Sequence, residues 1–90
     1  MRVEFSPSAS RHGISHERAR SVVESCPCPL YAPDAAAGDQ DLVVFLGPDN
    51  RGVPLEVVAV ERASEDLLVI HAMRMREKYA AEGARVMACR

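Results

Sequence analysis

His71, Arg74, Arg76, Lys78 and Tyr79 fall within nine positions of LLVIHAMRMREKYAAEG (67–83), directly after the apolar run Leu67 to Ile70. These residue types suffice for cleaving a phosphodiester beside a ribose 2′-hydroxyl without a metal. A base takes the hydroxyl proton, cations hold the crowded phosphate and an acid protonates the leaving oxygen. His71 suits base or acid near neutral pH, Tyr79 can donate a proton, and Arg74, Arg76 and Lys78 can hold the phosphate. The same residues also fit ordinary structure. On a strand His71 shares a face with Leu67 and Val69, as a hydrogen-bonded core histidine would. Arg74, Glu77 and Lys78 at helical spacing fit a solvated face, and Tyr79, four residues after Met75, fits packing.

A second constellation, SRHGISHE (10–17), puts Arg11, His12 and His16 ahead of and at the start of a helix, where an anion is favoured. A polar cap with a turn at Gly13 is the structural alternative. Cys26-Pro-Cys28 lacks the spacing and the second ligand pair of a zinc module, so neither metal nor cofactor is expected. The five glycines are dispersed and cradle no phosphate. Two Phe, two Tyr and no Trp make single-strand stacking platforms a poor fit.

The elements that must position these residues follow from periodicity. RVEF (2–5) is short, alternating and rich in strand formers and reads as a first strand, and Pro7 and Gly13 then break the pattern. A helix begins after Ser15 as N-cap, with Glu17 at its positive end and Ala19, Val22, Val23 and Cys26 on one face. The segment 26–40 carries three prolines and a glycine and reads as a long loop. Three strands follow at 41–47, 53–61 and 65–73, linked by PDNRG and RASE, and such short links make an antiparallel meander. Helix formers replace β-branched residues near Met73, so a short helix is expected up to Gly83. Leu55, Val57 and Ala59 alternate with Val58 and Val60, so both sheet faces need cover. The expected fold is α+β: an antiparallel sheet of an N-terminal strand plus a three-stranded meander, a helix after strand 1 and a short C-terminal helix.

Ninety residues make one domain, which at this size buries only about two-thirds of its unfolded surface. The apolar runs are far shorter than the roughly 18 residues of a membrane span, and the start lacks a signal-peptide core, so a cytoplasmic location without membrane association is expected. Three cysteines, an odd number, with Cys26 and Cys28 too close for an easy disulfide, fit reduced thiols. The net charge of −2 conceals a segregation: residues 1–20 carry +2, residues 71–90 carry +3 and residues 21–70 carry −7. Termini that meet would form a basic patch able to attract phosphates.

FSPSASRHGISHERARSVVE (5–24), the late strands and LLVIHAMRMREKY (67–79) together resemble the BrnT-type toxins of bacterial type II toxin–antitoxin pairs, small relatives of the RelE-like ribonuclease fold. That family's opening has a Lys/Arg-His-Gly-hydrophobic element leading into a helix, matched by Arg11-His12-Gly13-Ile14. Its close runs from a strand into a small residue and spaced arginines, matched by Ala72, Arg74 and Arg76. The likeness spans roughly residues 2 to 80. Two positions depart from it: Ser6-Pro7-Ser8 replaces an aromatic-Asp-x-x-Lys opening, and His71 stands where serine is commoner. The resemblance implies a RelE-like fold and a toxin that cleaves messenger RNA, free or on the ribosome, without a metal. It also implies a cognate antitoxin that covers the basic cluster. His71, Arg74 and Arg76 are then the expected catalytic residues, with Arg11, His12, Lys78 and Tyr79 on the substrate.

The competing reading is a non-catalytic interaction module whose apolar sheet faces seek a partner or a second copy of the chain. Direct DNA binding fits least, because no helix carries a run of groove-reading residues.

Overall fold

The structure is a computed structural model that describes residues 2–25, 30–31, 42–62 and 66–79. β1 (Val3–Phe5) leads into a 3-10 turn (Pro7–Ser10) and then α1 (His16–Ser25). β2 (Leu30–Tyr31), β3 (Leu42–Pro48), β4 (Pro54–Glu61) and β5 (Leu67–Arg74) follow, and a second 3-10 turn (Glu77–Tyr79) ends the described chain. The sheet order is β1-β5-β4-β3-β2, so the molecule is α+β with β4 at the centre of five strands.

α1 starts as its sequence dictates: the Ser15 hydroxyl accepts the Arg18 amide at 3.2 Å, satisfying one of the free N–H groups of the first turn. Ala19, Val22 and Val23 are buried on one helix face. They pack with Val43, Phe45, Leu55, Val57, Ala59, Leu67, Val69 and Ala72 in the main core. Cys26, the next position of that repeat, lies outside the described residues. So do Cys28, Cys89, Gly83 and most of the loop 26–40, although β2 within that stretch pairs antiparallel with β3 through Leu30↔Val44 and Tyr31↔Val43.

The meander β3-β4-β5 is antiparallel throughout, as its short links require. Its first turn is built on Asp49. One carboxylate oxygen accepts the amides of Arg51 and Val53 at 2.8 and 2.9 Å, while Gly52 takes a φ of +81°, open to glycine at no steric cost. The other oxygen accepts Arg18 Nε at 2.6 Å, so a wholly buried carboxylate ties the hairpin to α1. Burial pushes the Asp49 carboxyl up, but the Arg18 bond, the Val53 and Arg51 amides and the Arg18 charge outweigh it and hold the group below its ordinary value.

Two expectations are corrected. β1 is parallel to β5, with Val3↔Leu67, Glu4↔Leu68 and Phe5↔Val69, so the sheet is mixed. The physical reason is connectivity: β1 is joined to the meander through α1 rather than a hairpin, and only a hairpin obliges neighbours to run antiparallel. The start of the expected C-terminal helix is also corrected: the chain stays a strand through Arg74 and forms a 3-10 helix at Glu77–Tyr79, and the rest of the expected range, 80–83, lies outside the described residues. The reason is that Pro54 and Glu56 capture the backbone amides of Met75 and Arg76. Met75 and Tyr79 thereby pack, with Val58, on Val44 and Leu46 of the second sheet face. Among the described residues no helix is long and apolar enough to cross a membrane.

Asp49→Ala strips Arg18 of its partner and the turn of its acceptors, and should lower stability in urea unfolding by about 3 kcal/mol. Asp49→Asn keeps the turn acceptor and should cost less. An Asp49→Ala midpoint equal to wild type would show the tether to be idle.

Candidate functional site at the bulge of β5

β5 contains one residue more than β4 opposite it. Val58 faces His71 and Ala59 faces Val69, which leaves Ile70 as a β-bulge. An extra residue inverts the alternation beyond it. Leu67, Val69 and Ala72 all join the core under α1, whereas His71 turns to the second face with Val58. The expected sharing of a face by His71, Val69 and Leu67 is therefore wrong, and the bulge is the reason.

The Ser-rich segment after β1 seats on this bulge. Ser6 N–H donates to the Val69 carbonyl at 2.9 Å. The Ser8 hydroxyl donates to the Ile70 carbonyl at 2.7 Å and lies 2.7 Å from the Ser6 hydroxyl. The chain then turns through Arg11 and His12 to Gly13, whose φ of +75° suits glycine. This placement brings the His12 ring edge-on to His71, with centroids 5.2 Å apart and planes at 71°. His12 and His71, one from each of the two basic segments, thus meet although 59 positions apart in sequence.

Behind His71 stands a residue that the sequence reading missed. Glu56, on the central strand, is 0 % exposed. Arg76 holds it three times: the backbone amide and Nε donate to Oε1 at 3.0 and 2.7 Å, and Nη2 donates to Oε2 at 2.8 Å. His71 Nε2 lies 3.5 Å from Oε2 and is buried, without a hydrogen bond among the described residues. Burial pushes the Glu56 carboxyl up, yet the Arg76 bonds, its charge and His71 outweigh it, so the group stays ionised below its usual range. Burial pushes His71 down; Glu56 pulls it up, Arg76 and His12 push it down, and the ring rests below the ordinary histidine value. The Glu56 bonds raise Arg76 further. The missed signal was phase: Glu56 sits between Leu55 and Val57 and shares a face with Val58 and Val60, an apolar stripe in which a carboxylate needs a cation.

The remaining expected site residues divide. Arg76 joins His71, but as the partner of Glu56. Arg74 pairs with Leu55 and follows Ala72 by two, which puts it exposed on the α1 face, away from His71. Arg11 is exposed beside His12. Lys78 lies in the second 3-10 turn, and Tyr79 packs half-buried on the second face. His16 stays apart from this cluster: it stacks on Phe5 at 4.1 Å and 6° while Arg20 lies 5.7 Å over the same ring. Among the described residues no three His, Cys, Asp or Glu side chains come together as a metal site. What the cluster offers is a half-buried neutral imidazole beside a second imidazole, with an ion pair behind them.

Arg76→Met leaves the Glu56 carboxylate buried and unpaired and should cost about 3 kcal/mol. Acid should weaken the fold in two stages. Glu56, Asp49 and His71 have lowered values in the folded chain, so each contributes fully above its ordinary value and loses that contribution as pH falls through the folded one. His71 begins below 6.5 and the carboxylates below 4.5 and 3.8. In thermal melts across this range, His71→Gln should remove the first decline and spare the second.

Compared with known protein families, with curated proteins and with solved structures, the chain matches none.

Proposed function

We propose that the chain is a metal-independent endoribonuclease, the toxin of a type II toxin–antitoxin pair, which cuts messenger RNA in the cytoplasm and is covered there by a cognate antitoxin. The observation that carries this reading is the meeting of His12 and His71 at the sheet rim. Two imidazoles side by side supply what 2′-hydroxyl attack requires, a base for the nucleophile and an acid for the leaving group. A neutral His71 is the form able to accept the proton. In the reaction the ribose oxygen bonds to the adjacent phosphorus, the bond to the 5′-oxygen breaks, and a proton passes to that oxygen. The products are a 2′,3′-cyclic phosphate and a 5′-hydroxyl.

The cations are redistributed relative to the sequence reading. Arg11 stands exposed next to His12, and Arg76, 44 % exposed along its side chain, has an Nη1 that takes no part in the Glu56 clamp. These two are the phosphate contacts, and Arg74 on the far face guides the remainder of the strand. The α1-backed meander supports a RelE-like arrangement, with the parallel β1 as a feature of this chain.

The test is cleavage of a synthetic messenger RNA by purified protein in chelator, with end-group analysis of the products. Wild type should yield cyclic phosphates with a bell-shaped pH profile. His12→Asn and His71→Asn should each lose at least about a hundredfold, and the double variant little more, since the pair acts as a unit. Arg74→Ala should cost far less than Arg11→Ala. Absence of cleavage both by the protein alone and in the presence of ribosomes would leave the interaction module, a reading in which Arg76 serves only Glu56.

A further inference from the structure

We infer that Glu56 and Arg76 are positioning residues for His71: the carboxylate fixes the ring with its proton on Nε2, the guanidinium keeps that carboxylate from charging the ring, and Nδ1 is left as the proton acceptor. Geometry carries this. Nε2 is buried against Oε2 of a carboxylate that is itself sealed from water. A bare lone pair there would face a full negative charge at 3.5 Å, whereas an N–H faces it favourably. His71 nevertheless keeps 25 % of its side-chain surface exposed, and since Nε2 is covered, that surface belongs to the other side-chain atoms.

An unshielded carboxylate at this distance would draw a second proton onto the ring and destroy its value as a base. Arg76 prevents it by occupying both oxygens of Glu56. Among the described residues, the charged and titratable groups that face His71 are Glu56 from β4, Arg76 from the turn after β5 and His12 from the turn after the first 3-10 segment. Two of the three oppose protonation. The ion pair thus acts as a regulator of an imidazole rather than only as a brace.

The inference rests on the ribonuclease reading for its purpose but is measured without RNA. Nitrogen-15 NMR of the full chain reads the protonated nitrogen and the titration of His71 together. In wild type, Nε2 should carry the proton and the ring should titrate below 6.5. Arg76→Met bares the carboxylate and should move the titration upward, past the ordinary histidine value. Glu56→Gln removes the attraction, leaves Arg76 unneutralised and should move it downward from wild type. Arg76→Lys, which keeps the charge, should stay nearer wild type than Arg76→Met. A merely structural pair would give shifts of one sign, both variants drifting toward the ordinary value as packing loosens, and that result overturns the inference. A wild-type proton on Nδ1 overturns it too, even where the variants fail to fold. Opposite shifts in a protein that cuts no RNA would uphold the pairing and remove the ribonuclease reading. Cleavage with parallel shifts would do the reverse.

Discussion

A carboxylate with no exposed surface lies in the central strand, and the rest of the second sheet face is arranged around it. Taking such a charge out of water costs several kcal/mol unless a cation and hydrogen bonds replace the lost hydration. Arg76 supplies both, and because its backbone amide is one of the donors, the side chain cannot be satisfied unless the chain turns there. That requirement ends β5, lays Met75 and Tyr79 over Val44 and Leu46, and sets an anion behind His71. One buried oxygen pair thus couples the end of a strand, the cover of a hydrophobic face and the state of an imidazole.

The charge segregation along the chain resolves in space into complementarity. Asp49 and Glu56, from the acidic middle, are the buried carboxylates among the described residues, and their partners Arg18 and Arg76 come from the two basic ends. At the surface Glu4 meets both Arg2 and Arg62; with 39 % of Glu4 exposed, water and salt leave such contacts little weight. Among the described residues, Arg2, Arg18, Arg62 and Arg76 are thus each engaged by a carboxylate.

Much of the scaffold was legible because local rules decide it. Ser15 caps α1, the spacing of Ala19, Val22 and Val23 sets its buried face, and the Asp49 turn with Gly52 fixes the hairpin register. The three late strands fall within two residues of their expected limits. What escaped depends on partners distant in sequence. The direction of β1 is set by where the meander returns, the bulge at Ile70 by the Ser6 and Ser8 bonds, and the face of His71 by the bulge. His12 and His71 were each visible as candidates, but nothing local says that they touch. Arg76 was visible as a cation, while the carboxylate that claims it was hidden in a strand read only for its apolar residues.

The parallel pairing of β1 with β5 has a consequence for how the molecule comes into being. β1 is made before the meander, yet Val3 has no partner until Leu67 exists, and the amide of Leu67 donates to the carbonyl of Arg2, 65 positions earlier. Closing so long a loop is entropically dearer than forming the adjacent hairpins, so the meander has the advantage in time. On a translating ribosome the N-terminal segment leaves the exit tunnel many residues ahead of its mate. The imidazole pair, which needs both segments, is therefore assembled only when synthesis of β5 is complete, and a nascent chain truncated before that strand carries one imidazole of the two.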